Sequence, residues 1–258
     1  MDRMEVVMGA RILVTGGTGT LGGHVVPGLV GAGREVRVLS RSAREAAAGI
    51  EYVRGDLTAG VGIDAAVAEM ETVVHLAGDA KTDEVATRNL VEAARRGGVE
   101  HLVYIGVTAA ERIPLGYFRA KEAAERAVEE SGIAFTTLRA AQFHDLMFTA
   151  IATLTKSPVV PVPGAVRLQP VEVAEVGQRL VELTLGDPQG RVPDLAGPEI
   201  LEFGAMLRTY LQATGKRRLT MPMPFPGKAG RAYRDGDNLV HAETGKRTWA
   251  QYVADRVG

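Results

Sequence analysis

The stretch Arg11–Val26, RILVTGGTGTLGGHVV, decides the fold. Apolar and β-branched residues lead into a cluster of glycines and threonines, and a second apolar run follows. Glycine weakens both strands and helices, so this cluster needs a reason in the backbone. The amino terminus of a helix presents unpaired N–H groups and a partial positive charge, which a phosphate reaches most closely where no Cβ intervenes. The stretch therefore predicts a strand, a phosphate-binding turn and a helix.

Two glycine spacings fit this turn. Gly17, Gly19 and Gly22 satisfy G-x-G-x-x-G, and replacing Gly17 by Gly16 gives G-x-x-G-x-x-G. The alternative is a plain glycine turn, but a position after a strand and before a helix favours dinucleotide binding. Threonine hydroxyls add donors for phosphate oxygens. The predicted phosphate-binding set is Gly16, Thr18, Gly19, Thr20, Leu21 and Gly22.

Short β-rich runs alternate with helical stretches over the first half of the chain. The helical spacing is clearest in TRNLVEAARRGGV (87–99) and RAKEAAERAVEESGI (119–133). Such alternation predicts a parallel, doubly wound α/β sheet with helices on both faces. The six predicted strands are Ile12–Thr15, Val36–Leu39, Tyr52–Val53, Thr72–Leu76, Leu102–Ile105 and Phe135–Leu138.

The sequence changes character after about residue 140, where prolines become frequent. We expect a dinucleotide-binding (Rossmann) domain over residues 1–155 and a smaller C-terminal substrate lobe over 156–258, with some elements shared. Within the lobe, MPMPFPGKAG (221–230) predicts an extended arm. The other predicted elements are a helix over Val173–Leu185, a strand near Arg191–Leu195, a helix near Phe203–Thr214 and a short helix around Thr248–Arg256.

Composition excludes several function classes. A net charge of −1 provides no basic field for nucleic acid or an anionic membrane. The absence of cysteine excludes disulfides, thiolate metal sites and thiol nucleophiles, and it fits a cytoplasmic protein. Charges in the first ten residues argue against a signal peptide, and the apolar stretch 133–154 is too polar for a membrane span. Five histidines without helical metal-ligand spacing predict no metal site.

The residues after the second strand select the cofactor. An NAD site places an acid there to accept a hydrogen bond from the ribose 2′-hydroxyl. Here no acid follows EVRVLS until Glu45, while Arg41 follows directly and Arg44 lies close behind. An arginine matches a 2′-phosphate in charge and geometry. The sequence thus favours NADP(H) over NAD(H); the alternative is that both arginines are simply solvated.

Taken together, these motifs resemble the short-chain dehydrogenase/reductase superfamily and, within it, the atypical NmrA-like branch of NAD(P)-binding proteins. The resemblance covers nearly the whole chain, from TGGTGTLGG through GVEHLVYIG and LRAAQF to AGPEILEFGAML. GDL (55–57) resembles the adenine-contacting segment, which implies that role for Asp56 and Leu57. HLAG (75–78) resembles the loop along the adenosine, which implies contacts from Ala77 and Gly78. Asn89, in TRNLVEAA, resembles the asparagine that the family carries on the helix after this loop.

The motif YFRAK carries the catalytic part of the resemblance. Tyr117 and Lys121 are four residues apart and share one helix face. The superfamily's active pair has this spacing. The ordinary tyrosine pKa is about 10, and a nearby ammonium lowers it. The resemblance implies that Tyr117 passes a proton to a carbonyl oxygen and that Lys121 holds the nicotinamide ribose; the alternative is an amphipathic surface helix.

The third catalytic partner departs from the family pattern. Active members carry a serine just past the fifth strand, where this chain has Gly106. Thr108, two residues on, points to the same face if the chain is still extended. Thr108 is therefore the candidate replacement for the missing serine. A replacement matters because losing an oxyanion donor costs about 2.7–4 kcal/mol of transition-state stabilisation.

The segment after the sixth strand predicts substrate contacts. Gln142, Phe143 and His144 lie in RAAQFHD, beside the nicotinamide according to the resemblance. His144 is a candidate substrate contact or proton shuttle. Its alternative role is that of a polar residue at a half-buried helix start.

Two functions remain open at this point. The first is an NADPH-dependent reductase of a small carbonyl or quinone-like compound, favoured by Tyr117 and Lys121. The alternative is a non-catalytic NADP(H)-binding sensor or regulator, favoured by Gly106. We expect a monomer or homodimer with a small-molecule substrate, and no nucleic-acid or membrane partner.

Overall fold

The computed structural model describes residues 11–79, 81–240 and 243–257. The charge pattern of the first ten residues lies outside this range. The first six strands are β1 (Arg11–Thr15), β2 (Glu35–Ser40), β3 (Ile50–Arg54), β4 (Thr72–His75), β5 (His101–Val107) and β6 (Ala134–Ala140). All six predicted strands are confirmed. Every residue of β4 and β5 is buried, as expected for strands covered on both faces.

The later strands are short. They are β7 (Val159–Pro163), β8 (Arg167–Leu168), β9 (Gly190–Arg191), β10 (Leu195–Ala196), β11 (Leu201–Glu202), β12 (Leu219–Met223) and β13 (Glu243–Thr244). The single strand predicted near Arg191–Leu195 is therefore two strands, β9 and β10. Pro193 lies between them and has no N–H for a sheet ladder.

The described helices separate and cover these strands. They are α1 (Gly22–Gly31), α2 (Ile63–Val67), α3 (Asp83–Gly97), α4 (Gly116–Glu129), α5 (His144–Leu154), α6 (Val173–Leu185), α7 (Phe203–Ala213), α8 (Gly227–Asp235) and α9 (Trp249–Val257). The extended arm predicted over 221–230 is only partly correct. Its first residues form the end of β12, but α8 begins at Gly227 with Pro226 at its cap, a position where proline's missing N–H costs nothing.

The main sheet has the order β13-β10-β6-β5-β4-β1-β2-β3, with β9 also paired to β6. β1 pairs in parallel with β2 on one side and with β4 on the other. This is the doubly wound order, and the predicted fold class is confirmed. The strand order reverses at β1, and ligands of such sheets bind at this switch point, outside the carboxyl ends of the strands.

The chain divides into two compact units. The first comprises the described residues within 11–104, 123–137 and 177–191, and the second comprises those within 105–122, 138–176 and 192–257. The core of the first unit joins α2 and α3 to the sheet, with Leu13, Leu90 and Leu102 completely buried. The core of the second unit surrounds Trp249, whose indole N–H donates to the Met206 carbonyl at 3.1 Å.

Two small sheets lie within the second unit. β7 and β12 are parallel, and their register runs from Val159 with Leu219 to Pro163 with Met223. β8 and β11 are antiparallel. Among the residues described, no helix has both the length and the apolar character that crossing a membrane would require.

Candidate active site

The glycine turn follows the central strand of the first unit. Thr15, the last residue of β1, pairs with Leu39 of β2 and His75 of β4. The turn therefore leaves the sheet at the switch point, with the loops after β2 and β4 on either side. The same edge continues to β3, because Ser40 pairs with Arg54.

The glycines of this turn have different reasons to be glycine. Gly16 has φ +69°, and a Cβ there would lie 2.5 Å from the Ala77 nitrogen. A Cβ on Gly22 would overlap the Gly16 carbonyl. A Cβ on Gly19 would meet only the Gly16 oxygen, at 3.3 Å. The fold therefore requires Gly16 and Gly22, while Gly19 keeps open the space outside the turn.

Backbone donors face this open space at the amino end of α1. Within the described chain, the N–H groups of Thr18, Thr20, Leu21 and Gly22 have no hydrogen-bond partner. Thr18, Gly19 and Thr20 are exposed. Unpaired N–H groups and the positive end of a ten-residue helix form a cradle for an anion. These residues fit the pyrophosphate of a dinucleotide.

A buried hydrogen-bond chain holds the loop after β4 against this cradle. The Thr15 hydroxyl lies 2.7 Å from Nδ1 of His75, and Nε2 of His75 lies 2.9 Å from the Thr87 hydroxyl. Thr87 donates to the Asp83 carbonyl, so we assign the Nε2–H tautomer to His75. The Ala77 N–H points to Thr15 Oγ1 at 3.4 Å. His75 was known from the sequence only as part of a motif, and nothing in the sequence identified Thr87.

The loop after β3 is fixed in a similar way. Asp56 Oδ1 accepts hydrogen bonds from the backbone N–H groups of Thr58 and Ala59, at 2.8 and 3.1 Å. Asn89 of α3 donates from Nδ2 to the Leu57 carbonyl at 2.7 Å. Asn89, identified by resemblance, therefore has a physical role, because it anchors the loop in which Asp56 and Leu57 lie. Adenine contact by those two residues stays a prediction.

Arg41 lies at the carboxyl end of β2. Its side chain is exposed, and among the residues described it forms no ion pair. Arg44 lies over the ring of Tyr52, with 6.0 Å between its guanidinium carbon and the ring centroid. Arg41 is therefore the more available partner for a phosphate at this edge.

The second unit contains the catalytic candidates. Tyr117 and Lys121 lie on the first two turns of α4. Tyr117 is 43% exposed, while Lys121 is only 7% exposed. Phe118 is buried in a cluster with Val107 and Ile113, and its ring meets that of Tyr117 edge-on at 5.4 Å. This anchoring leaves the tyrosine accessible to a small molecule.

Thr108 follows β5 directly. Its N–H donates to the Ala140 carbonyl at 3.1 Å, so the extended backbone continues past Gly106. The Thr108 side chain is completely buried, and Oγ1 has no hydrogen-bond partner in the described part of the chain. A buried hydroxyl left unpaired costs about 1–3 kcal/mol, which makes it a candidate donor for a bound molecule.

The residues predicted to contact substrate are only partly accessible. Gln142 and Phe143 are half-buried, but His144 is completely buried. Its ring centroid lies 5.8 Å from Trp249 and 5.0 Å from Tyr252, both on α9. Because the aromatic rings cover it, His144 has no open surface for a substrate. Its placement favours the alternative of a polar residue at the start of a helix.

Burial also controls the protonation of His144. Desolvation lowers its pKa below the ordinary value, against the opposing influence of Glu172, whose Oε2 lies 3.9 Å from Nδ1. Glu172 is itself paired with Arg247 at 2.8 Å. Burial likewise lowers the pKa of His101, whose Nε2 lies 2.9 Å from the Thr136 hydroxyl.

These shifts predict acid sensitivity. A histidine with a lowered folded-state pKa takes up its proton first in the unfolded chain, so its stabilising contribution is lost as pH falls below 6.5. Urea unfolding should show a smaller free energy at pH 5.5 than at pH 7.5. His144→Leu should flatten this dependence by up to about 1.4 kcal/mol per pH unit, and an exposed control, His24→Leu, should not. Identical pH profiles for the two variants would contradict the assignment.

Comparison with known proteins identifies the family of this chain. Residues 16–183 match a family model described as NAD(P)H-binding. A (4-alkanoyl-5-oxo-2,5-dihydrofuran-3-yl)methyl phosphate reductase from Streptomyces griseus is 30% identical over 205 residues, which cover 74% of this chain and 69% of the reductase. An NmrA-like oxidoreductase from Aspergillus flavus is 26% identical over 262 residues, 93% of this chain and 84% of its own. The chain aligns with only 33% of a 3-beta-hydroxysteroid dehydrogenase from Mycolicibacterium neoaurum, at 34% identity over 41% of this chain.

Solved structures agree in fold. An NADPH-dependent quinone oxidoreductase from Escherichia coli, in complex with NADPH, superposes with a TM-score of 0.82 at 17% identity, covering 96% of this chain and all of the other. A triphenylmethane reductase from Citrobacter sp., in complex with NADP(H), gives 0.75 at 20% identity, covering 96% of this chain and 99% of its own. The predicted NmrA-like resemblance is confirmed. The chain belongs to the NAD(P)H-binding family and is a homologue of an NmrA-like oxidoreductase.

Proposed function

We propose that the protein is an NADPH-dependent reductase of a small carbonyl or quinone-like compound. The observation that carries the proposal is the pair on α4: Tyr117, which is 43% exposed, and, one turn later, the buried Lys121. The substrate named for the Streptomyces reductase carries alkanoyl and oxo groups, and the Escherichia coli neighbour is named as a quinone oxidoreductase. Both names support this substrate class.

The residues of the first unit would hold the cofactor. The turn over Gly16–Gly22 would receive the pyrophosphate, and Arg41 the 2′-phosphate. The loops at Asp56–Leu57 and Ala77–Gly78 would receive the adenosine. When bound, NADPH supplies the hydride. In this division the first unit would hold the adenosine and the phosphates, and the second would supply the proton.

Within the second unit, Tyr117 would donate its phenolic proton to the substrate oxygen. The Lys121 ammonium would favour the phenolate that results and hold the nicotinamide ribose. Thr108 would supply the hydroxyl that Gly106 lacks, because its buried Oγ1 is unpaired in the described chain. Gln142 and Phe143 would line the substrate side.

A second candidate function rests on a specific observation. Gly106 has no hydroxyl, and Thr108 is completely buried, so the usual oxyanion donor is not presented on an open surface. A chain that binds NADP(H) without turnover would be a sensor or regulator of the cofactor's redox state. The two functions differ in whether cofactor binding is accompanied by chemistry.

An oxidation assay separates these functions. NADPH consumption would be followed with a panel of quinones, ketones and aldehydes, and a cofactor-binding titration would be run on the same preparation. Turnover of at least one compound supports the reductase. Tight NADPH binding with no turnover across the panel rejects the reductase and favours the sensor.

The cofactor preference gives a separate prediction. Arg41→Ala should weaken NADPH binding by about 1.5–3 kcal/mol and leave NADH binding nearly unchanged, because a charge-assisted contact to the 2′-phosphate is lost. Dissociation constants for both cofactors measure the effect. Arg88→Ala, on an exposed face of α3, serves as the control. Equal affinity of the unmutated protein for NADPH and NADH would show that Arg41 does not select the cofactor.

A further inference from the structure

A cavity in the second unit lies at the amino ends of β7 and β12. Its volume is about 480 Å³, within the range of small-molecule sites. The two parallel strands meet there, since the Leu219 N–H donates to the Pro158 carbonyl at 3.1 Å. The lining residues are Lys156, Pro158, Arg217, Arg218 and Leu219. None of them belongs to the sets proposed for cofactor binding or catalysis.

The charge around this cavity has one sign. The cationic cluster consists of Lys156, Arg217 and Arg218, and none of the three forms an ion pair with any described residue. The neighbouring Lys216 does not line the cavity, because its ammonium lies over the Tyr210 ring, 5.5 Å from the centroid. The neighbouring sequence contains no partner, because residues 146–166 and 203–234 include no aspartate or glutamate. In a chain with 31 acidic residues and a net charge of −1, such a cluster requires an explanation.

Helix termini account for only part of this charge. α5 and α7 both end beside the cluster, and the Arg218 Nε–H donates to the carbonyl of Thr155, the C-cap of α5, at 2.7 Å. Each helix end carries roughly half a negative charge. Two ends therefore balance about one of the three cations, which leaves close to two positive charges for an external anion.

Apolar side chains continue from the cavity along β12. Leu219 is 72% exposed, Met221 51% and Met223 46%. Alternate residues of a strand point to the same face, so these three form one stripe about 13 Å long. Methionine adapts to irregular apolar partners, and contiguous exposed apolar surface marks binding sites.

We propose that this cavity and stripe bind a soluble organic phosphate with an apolar chain. The phosphate would lie among Lys156, Arg217 and Arg218, where the Arg217 guanidinium offers paired N–H donors and the surplus charge suits a dianion. Arg218 would contribute mainly its charge, because its Nε and Nη1 already donate to the carbonyls of Thr155 and Arg217. The apolar chain would follow the stripe from Leu219 to Met223. The site does not depend on the proposed reductase activity.

Octyl phosphate is the probe that tests the proposal. Calorimetry would use the full chain saturated with NADPH, so that the nucleotide site is filled, and a probe concentration below its micelle threshold. We expect octyl phosphate to bind and inorganic phosphate to bind more weakly. Arg217→Gln should weaken octyl phosphate at least tenfold. Arg95→Gln, a basic residue exposed on α3, should leave the affinity unchanged.

A second variant separates the apolar contact from the charge. Leu219→Ser should weaken octyl phosphate several-fold and leave inorganic phosphate unchanged. The proposal is overturned if octyl phosphate fails to bind, or if Arg217→Gln binds it as tightly as the unmutated protein. It is also overturned if the protein co-sediments with phosphatidylserine vesicles but ignores octyl phosphate, because the surface would then recognise a membrane.

Discussion

Tyr117→Phe is expected to lower the turnover number with a carbonyl or quinone substrate by about 10²–10⁴-fold, the contribution of a positioned general acid. The change removes only the hydroxyl. The ring keeps its edge-on contact with Phe118, which is buried and anchors the start of α4. Steady-state kinetics at saturating NADPH measure the loss, and a cofactor titration should show nearly unchanged binding.

Three further variants sharpen this prediction. Lys121→Ala should be worse than Tyr117→Phe, since it would remove both the proposed ribose contact and the charge proposed to favour the phenolate. Gly106→Ser should leave turnover unchanged or raise it, if Thr108 is an imperfect donor. Tyr233→Phe, a half-buried tyrosine packed on the same apolar cluster, is the matched control. A normal rate for Tyr117→Phe would mean that water or another group donates the proton.

Gly19→Val is expected to abolish cofactor binding at concentrations that saturate the unmutated protein. Its φ is not positive, and an added Cβ meets only the Gly16 oxygen, at 3.3 Å, so the turn accepts the side chain if that carbonyl shifts slightly. The methyl groups would instead occupy the space where the pyrophosphate has to approach the N–H groups of the turn. Fluorescence titration with NADPH measures the loss, and circular dichroism checks that the fold survives.

Helix α1, which follows the turn, provides the control for this variant. Gly31→Val adds an identical side chain at the far end of α1, where nothing lies within 4 Å of the new Cβ. It should bind NADPH normally. A folded Gly19→Val protein that also binds NADPH normally would show that the turn is not the phosphate site.

The parallel sheet could be predicted because its signals are local. Continuous β-branched runs mark strands that are buried on both faces, and α6 is predicted with its observed bounds, Val173–Leu185. The pairing of β7 with β12 could not be predicted in this way. Its partners are about 60 residues apart and rich in proline, so neither their composition nor their spacing indicates a ladder.

The candidate site could likewise be predicted only in part from the sequence. The sequence offered two glycine patterns, and only the structure separates Gly16, which the fold requires, from Gly19, where an added Cβ would meet only the Gly16 oxygen. The sequence made His144 a candidate substrate contact or proton shuttle and contained no sign that Trp249, more than 100 residues away, would cover it. Contacts of this kind arise from tertiary packing and produce no periodic pattern in the sequence.

The β7–β12 pair also bears on how the protein behaves at high concentration. A short sheet whose outer strand exposes leucine and methionine is a template for strand addition by another molecule, and so for aggregation. Pro161, Pro163 and Pro222 remove N–H donors from both strands. A ladder that cannot be extended lets the chain display apolar side chains to a small ligand without recruiting further copies of itself.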